Sequence, residues 1–134
     1  MTVIDTSGVV DLLTDGPALS QVADLLADER ELAAPDVLVF ETLSAIRRGA
    51  LRGTTSRPRA SAAVEDMADL PVRLFPSLQL RSRAWELREN LTVADALFVA
   101  LAEQLGEPLA TKDRSLMRSV AALGVVRVIP LAPG

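Results

Sequence analysis

The sequence contains no cysteine, histidine or tyrosine among its 134 residues, and its one lysine is Lys112. The missing histidine and cysteine exclude Ser-His-Asp and Cys-His nucleophile systems, histidine acid–base catalysis, and zinc sites built from thiolates or imidazoles. Any chemistry must therefore come from carboxylates, hydroxyls, arginine and one lysine. Metal sites built from oxygen ligands alone select hard cations, which here means Mg²⁺ or Mn²⁺.

Long apolar runs are also missing. No stretch approaches the roughly 18 uncharged apolar residues of a membrane span, and the N-terminal residues 1–5 reach a carboxylate too early for a signal peptide. We therefore expect a cytoplasmic protein that makes no membrane contact. A chain of 134 residues that is 49% hydrophobic has the size of one ordinary globular domain, so we expect a single domain over residues 1–134.

The net charge of −4 argues against a broadly basic nucleic-acid binder, but the charges are unevenly distributed. Residues 42–64 contain no acid and five arginines, namely Arg47, Arg48, Arg52, Arg57 and Arg59. This segment is either a solvated helix face and loop or a basic groove that contacts phosphates. No aromatic residue lies within it, so base stacking is not expected from the segment itself.

Short β-branched runs alternate with longer helical patterns, which is typical of an α/β fold with a parallel sheet flanked by helices. The pattern predicts strands at residues 2–4, 32–34, 72–75, 109–111 and 125–129. It predicts helices at residues 8–13, 18–27, 35–51, 60–68, 77–89, 92–105 and 114–123. Residues 53–58 are predicted to form an exposed loop, and no internal repeat or interdomain linker is present.

Four acidic residues stand where this topology could bring them together. Asp5 follows the first predicted strand and Asp113 follows the fourth, and right-handed βαβ connections place such turns at one edge of a parallel sheet. Asp95 is the only charge in residues 91–102, and Glu41 interrupts the apolar pattern of its helix. Burying a bare carboxylate costs several kcal/mol, so each must be paired, cap a helix or bind a cation.

Each acid has a structural alternative. Asp5 and Asp113 could be helix N-caps, and Asp95 has capping-box spacing from Thr92. Glu41 could pair with a nearby arginine, Arg47 or Arg48. Clustered carboxylates repel one another unless a cation offsets their charge. The four together therefore favour a divalent ion and phosphodiester hydrolysis by metal-activated water.

The hydroxyls of Thr6 and Ser7 follow Asp5 directly. With the backbone N–H groups at the start of the next helix, they could hold a phosphate oxygen. Glycine-rich phosphate loops are absent from the sequence. A phosphatase signature would need a second aspartate at Ser7, which argues against a phosphohydrolase. Trp85 lies among arginines, but a tryptophan on an amphipathic helix is more often core or interface than a stacking site.

Four segments resemble PIN-domain ribonucleases, and specifically the VapC toxins of VapBC toxin–antitoxin pairs. They occur in family order and with family-like spacing over essentially the whole chain. The segments are residues 3–7 (VIDTS), 35–48 (PDVLVFETLSAIRR), 85–103 (WELRENLTVADALFVALAE) and 108–116 (PLATKDRSL). Two departures are Ala94, where relatives often have an aromatic residue, and Ser44, where many have asparagine; neither removes an acid.

The resemblance implies a PIN-like fold with a five-stranded parallel sheet of order 3-2-1-4-5. It implies that Asp5, Glu41, Asp95 and Asp113 form an acidic quartet around Mg²⁺ or Mn²⁺. Asp5 and Asp95 would be direct ligands, Asp113 would bind directly or through water, and Thr111 would be the hydroxyl beside the fourth acid. The resemblance also implies an endoribonuclease toxin that cuts structured RNA such as tRNA or rRNA. The toxin would form a homodimer, and a VapB-type antitoxin would block it in a heterotetramer or larger complex.

Two classes of function remain open from the sequence. The first is a metal-dependent endoribonuclease acting as a toxin. The alternative is a catalytically silent PIN-fold module that binds RNA or a partner protein, with its acids tying helix ends together. Metal affinity and RNA cleavage distinguish the two.

Overall fold

A five-stranded parallel sheet forms the centre of the computed structural model, which describes residues 1–131. Its order is β3-β2-β1-β4-β5, as the resemblance predicted, and every neighbouring pair is parallel. The strands are β1 (Val3–Ile4), β2 (Leu32–Pro35), β3 (Val72–Phe75), β4 (Leu109–Thr111) and β5 (Val128–Pro130). Residues 132–134 of the predicted domain lie outside the described residues.

Seven α-helices connect the strands in the alternation that parallel pairing requires. They are α1 (Thr6–Thr14), α2 (Leu19–Glu29), α3 (Val37–Arg52), α4 (Arg57–Asp66), α5 (Arg81–Glu86), α6 (Val93–Leu105) and α7 (Arg114–Leu123). Short 3₁₀ turns at Met67–Asp69 and Ser77–Leu80 precede β3 and α5. No helix in residues 1–131 is long and apolar enough to cross a membrane.

The core lies where α6 packs against the central strands. β1, β2 and β4 are buried along their whole lengths, as expected for strands covered on both faces. Every residue of α6 from Ala96 to Ala102 is buried, which explains the apolar run around the lone Asp95. Leu97, Phe98 and Leu101 are therefore core residues.

Helix caps account for several boundaries that the sequence pattern placed differently. α4 begins at Arg57, within the predicted loop, because the Ser56 hydroxyl accepts the Arg59 N–H at 3.2 Å and Pro58 suits the first turn. Gly106 ends α6 in the left-handed region at φ 65°, where a side chain would be strained.

Two predicted elements are shorter in the structure. The helix predicted at 77–89 is a 3₁₀ turn followed by α5, which ends at Glu86 and gives way to turns. The last strand begins at Val128, so residues 125–127 were wrongly predicted as strand. Trp85 is 64% exposed, with the Arg88 guanidinium 4.6 Å from its ring centroid, so it is not a core residue, and its place in an interface stays a prediction.

Candidate active site

The four predicted acids line one cavity of 450 Å³ at the carboxyl edge of the sheet. β1 and β4 are adjacent, with Ile4 paired to Ala110, so the residues that follow these strands are neighbours. Asp5 and Asp113 reach the cavity in this way. Asp95 comes from the first turn of α6, and Glu41 comes from the second turn of α3.

Asp5 is the most enclosed of the four acids, at 7% exposure. Its Oδ1 accepts hydrogen bonds from the Ser7 hydroxyl at 2.6 Å and the Gly8 N–H at 3.3 Å, and its Oδ2 accepts the Thr111 hydroxyl at 2.5 Å. Burial raises the pKa of Asp5 and the charge of Asp113 adds to the rise, while the three hydrogen bonds oppose it. The site therefore holds a carboxylate whose charge is only partly offset by its neighbours.

Thr111 joins two of the acids through one hydroxyl. It is fully buried, and while it donates to Asp5 it accepts the Asp113 backbone N–H at 3.0 Å. Asp113 is exposed and accepts the Leu116 N–H at 3.1 Å, which makes it the N-cap of α7. The geometry of the β4–α7 turn thus depends on a group that also fixes Asp5.

Glu41 is held by α1 and has no arginine partner. The Thr6 hydroxyl donates to Glu41 Oε1 at 2.8 Å. Within the part of the chain that the structure describes, no ion pair joins Glu41 to Arg47 or Arg48, so the pairing alternative is wrong. The Thr6 hydroxyl therefore positions the Glu41 carboxyl group at the cavity.

Asp95 is half-buried in the first turn of α6. The Thr92 hydroxyl caps this helix by accepting the Asp95 N–H at 3.2 Å. Burial raises the pKa of Asp95, the Thr92 hydroxyl lowers it, and the charges of Asp113, Asp5 and Glu41 raise it further. All four acids therefore interact electrostatically around the same cavity.

Capping and cavity lining coincide at two of these positions. Asp5 and Asp113 are the N-caps of α1 and α7, as the structural alternative predicted. Asp5 Oδ1 accepts two hydrogen bonds and Oδ2 accepts one, so Oδ2 keeps a lone pair for another ligand. A helix cap and a metal ligand are therefore compatible roles for this carboxylate.

The hydroxyls of Thr6 and Ser7 donate hydrogen bonds to two of the acids in this structure. Each has a single proton, and these protons are donated to Glu41 and Asp5, respectively. Ser7 Oγ also accepts the Lys112 N–H at 3.2 Å. Neither hydroxyl has a proton left for a phosphate oxygen in this arrangement, so both position carboxylates here.

An ion pair in the cavity was missed at the sequence level. Asp11, which is 5% exposed, accepts the Lys112 ammonium at 2.7 and 2.9 Å and the Ala18 N–H at 3.0 Å. Asp11 lies on α1 six residues after Asp5, and its partner Lys112 lies 101 residues away along the chain, so no local pattern indicated the pairing. Because Asp11 neutralises Lys112, this lysine cannot offset the charge of the four acids.

The donor set suits a hard divalent cation, but the acids are not yet gathered around one point. Among residues 1–131, no three acidic side chains stand close enough together to form a ready-made metal site. The cavity offers carboxylate and hydroxyl oxygens, which Mg²⁺ and Mn²⁺ prefer. Binding a cation would require the acids to move closer together; their mutual repulsion opposes this move, and the charge of a bound cation would offset that repulsion.

Comparisons with known proteins identify the family of this chain. A family model described as PIN domain matches residues 2–123. The chain is 40% identical to Ribonuclease VapC12 of Mycobacterium tuberculosis over 119 residues, covering 89% of this chain and 92% of that protein. It is 36% identical to VapC ribonuclease Mb0985 of Mycobacterium bovis over 131 residues, covering 97% and 99%.

The fold also matches a solved toxin–antitoxin complex from Klebsiella pneumoniae. The TM-score is 0.69 at 17% identity, and the alignment covers both chains completely. At that identity the match concerns the fold, whereas the family model and the two mycobacterial relatives concern the sequence over nearly its whole length. The chain belongs to the PIN-domain family, among the VapC ribonucleases.

Proposed function

We propose that this chain is an Mg²⁺- or Mn²⁺-dependent endoribonuclease and the toxin of a type II toxin–antitoxin pair. The observation that carries the proposal is the convergence of Asp5, Glu41, Asp95 and Asp113 on one cavity, in a protein whose sequence relatives are named ribonucleases. When bound in this cavity, a divalent cation would supply an activated water for attack on phosphorus and positive charge for the phosphate oxygens.

Each side chain of the site has a separate proposed role in this reaction. Asp5 and Asp95 would hold the cation, and Asp113 would hold it directly or through water. Thr111 and Ser7 fix the orientation of Asp5 through their hydrogen bonds. Glu41 lies across the cavity and orients ligands or accepts a proton.

Mutual repulsion of the acids supports the proposal that a cation binds in the cavity. The pKa values of Asp5 and Asp95 are both raised, by burial and by neighbouring carboxylates. Lys112 is already paired with Asp11, so the described cavity has no free lysine to offset the acids. A bound divalent ion relieves this repulsion, which is the usual reason for clustered carboxylates in a cavity.

We propose structured RNA, such as tRNA or rRNA, as the substrate, encountered in the cytoplasm. We also propose a VapB-type antitoxin as the inhibitory partner, with the toxin as a homodimer in a heterotetramer or larger complex. The fold shared with a toxin–antitoxin complex supports this partner. Exposed apolar side chains on α3, such as Val39 and Leu43, offer area for such a contact.

The test is cleavage of total cellular RNA by the purified chain in Mg²⁺, Mn²⁺ or EDTA. Asp95→Asn removes one proposed ligand, and Asp28→Asn makes the same change at an exposed position on α2 outside the cavity. We expect discrete fragments in metal with wild type and Asp28→Asn, and none with Asp95→Asn or in EDTA. Wild-type cleavage rates in a folded Asp95→Asn protein would contradict the proposal.

A silent RNA- or protein-binding module is the other reading of the same fold. It predicts no cleavage under any condition by a folded protein that still binds RNA. Its acids would then serve as helix caps and packing groups, as Asp5 and Asp113 already do.

A further inference from the structure

One wall of the acidic cavity carries an aromatic ring and a guanidinium that the four acids do not use. Phe40, Ser44 and Arg48 lie four residues apart on α3, so they share one helix face, and all three line the cavity. We propose that Phe40 stacks on an unpaired RNA base and that Arg48 contacts a neighbouring phosphate. This wall would then select single-stranded nucleotides beside the bond to be cut. The inference rests on the proposed ribonuclease function and adds two substrate-contacting residues to it.

The exposure of Phe40 is the first observation. Phe40 is 69% exposed, whereas Phe98 is 1% exposed and Phe75 is half-buried against the core. Leaving a phenylalanine side chain in water forgoes about 1.5–3 kcal/mol of burial free energy. A ring kept in water at the mouth of a cavity is well placed to stack on a base, since every base offers an aromatic face.

The free charge of Arg48 is the second observation. Arg48 is exposed, and none of the ion pairs or hydrogen bonds recorded for residues 1–131 involves its guanidinium. By contrast, Arg59 in the same basic segment is paired with Asp66 at 3.1 Å. A guanidinium without a carboxylate partner, beside a cavity full of acids, supplies the positive charge that a phosphate needs for binding.

The surroundings of Phe40 favour RNA over a protein partner. Of the other α3 residues that line the cavity, Glu41, Ser44 and Arg48 are polar or charged and only the small Ala45 is apolar. The exposed Val39 instead borders a separate apolar groove. An aromatic ring beside a guanidinium on a mostly polar wall fits an unpaired base and the phosphate next to it.

The proposal is tested by the binding of a fluorescein-labelled single-stranded RNA of about 12 nucleotides, a length within the range that such sites cover. Fluorescence anisotropy is measured in EDTA, so that cleavage does not interfere. Phe40→Ala is compared with Phe40→Trp and with Leu51→Ala. Leu51 is a matched control because it is also 69% exposed on α3 but does not line the cavity.

We expect Phe40→Ala to weaken RNA binding by about 5- to 150-fold, the range that loss of one stacked base produces. Phe40→Trp keeps the stacking face and retains wild-type affinity, and Leu51→Ala does the same. A blunt RNA duplex of the same sequence has no unpaired base to offer, so Phe40→Ala and wild type bind it equally.

Arg48→Ala has its own signature, because a phosphate contact releases counterions. We expect the slope of log affinity against log salt to fall by about 0.7 for single-stranded RNA. Arg52→Ala, at an exposed arginine outside the cavity, leaves the slope unchanged. Phe40→Ala weakens binding without altering the slope, which separates the stacking contact from the charge contact.

Equal RNA affinities of Phe40→Ala and Leu51→Ala would overturn the inference and assign the ring to a protein contact. Binding in EDTA is independent of cleavage, so the two proposals fail separately. If Phe40→Ala binds RNA as tightly as Leu51→Ala while the wild type cuts RNA in the presence of metal, only this inference is wrong. If Phe40→Ala weakens RNA binding but the wild type cuts no RNA, only the proposed nuclease activity is wrong.

Discussion

Replacing each of two fully buried threonines with valine tests how the site holds Asp5. Thr42 and Thr111 are both 0% exposed, and Thr→Val keeps the shape while removing the hydroxyl. The Thr111 hydroxyl donates to Asp5 and accepts the Asp113 N–H, whereas the Thr42 hydroxyl has no hydrogen-bond partner among residues 1–131. The same substitution should therefore change stability in opposite directions.

The magnitudes follow from the hydrogen bonds that are lost. Thr111→Val removes one bond to a carboxylate and one neutral bond, so we expect the free energy of unfolding to fall by about 2–4 kcal/mol. Thr42→Val replaces an unsatisfied buried hydroxyl with a methyl group, so we expect a gain of about 1 kcal/mol.

Urea denaturation at neutral pH measures both changes. The midpoints are compared at unchanged slope, which ensures that a shift reports stability rather than a change in the denatured state. We further expect Thr111→Val to lower the cleavage rate, because Asp5 loses the donor that orients it, and Thr42→Val to leave the rate unchanged. Equal and same-signed stability changes in the two variants would refute the hydrogen-bond assignment.

Two further predictions concern charged groups of the cavity. Asp11→Ala and Lys112→Met should each destabilise the fold, because each leaves the other charge without its partner. The double variant should recover part of this loss, so a double-mutant cycle should give a coupling energy of about 1–3 kcal/mol. Additive changes in the free energy of unfolding would exclude the ion pair. The pKa of Asp95 is raised above its ordinary value of 3.8, so its ionised form destabilises the metal-free fold above the folded pKa, and this penalty disappears as the pH falls through that pKa. Asp95→Asn should therefore melt at a higher temperature than wild type at pH 7 without metal, with the difference shrinking toward pH 4; a constant difference would contradict the assignment.

Much of the fold could be predicted because the sequence signals are local and strong. The alternation of short β-branched runs with longer helical patterns indicated a parallel sheet flanked by helices. Gly106 and Gly124 marked the ends of α6 and α7, where both adopt positive φ. The missed start of α4 was also readable, since Ser56 and Pro58 form a standard helix start. The strand order came from the family resemblance, because pairing across the sheet leaves no mark in a single sequence.

The acids of the site could be predicted, but their supporting contacts could not. Asp95 and Glu41 stood out because a carboxylate in an apolar pattern needs a reason. Asp11 gave no such signal, since its partner Lys112 lies 101 residues away along the chain. The sequence indicated the hydroxyls of Thr6, Ser7 and Thr111 as site groups, but their hydrogen bonds to Glu41 and Asp5 became visible only once α1, α3 and β4 were placed together.

The exposure of single side chains was equally beyond the sequence. Trp85 and Phe40 sit in amphipathic patterns that suggest burial, yet both are mostly exposed. Periodicity shows which residues share a helix face, but it does not show whether another element covers that face. The spacing of Phe40 and Arg48 places them on one face of α3, but only the structure shows that this face lines the cavity.

The central claim is that these acids share a divalent cation, and calorimetric titration of Mn²⁺ into the purified chain tests it most directly. The measurement compares wild type with Asp95→Asn and with the exposed control Asp28→Asn at neutral pH. The account predicts saturable binding to wild type and Asp28→Asn, and strongly weakened binding to Asp95→Asn. Equal affinities in all three, or no binding to a folded wild type, would contradict it and favour a silent binding module.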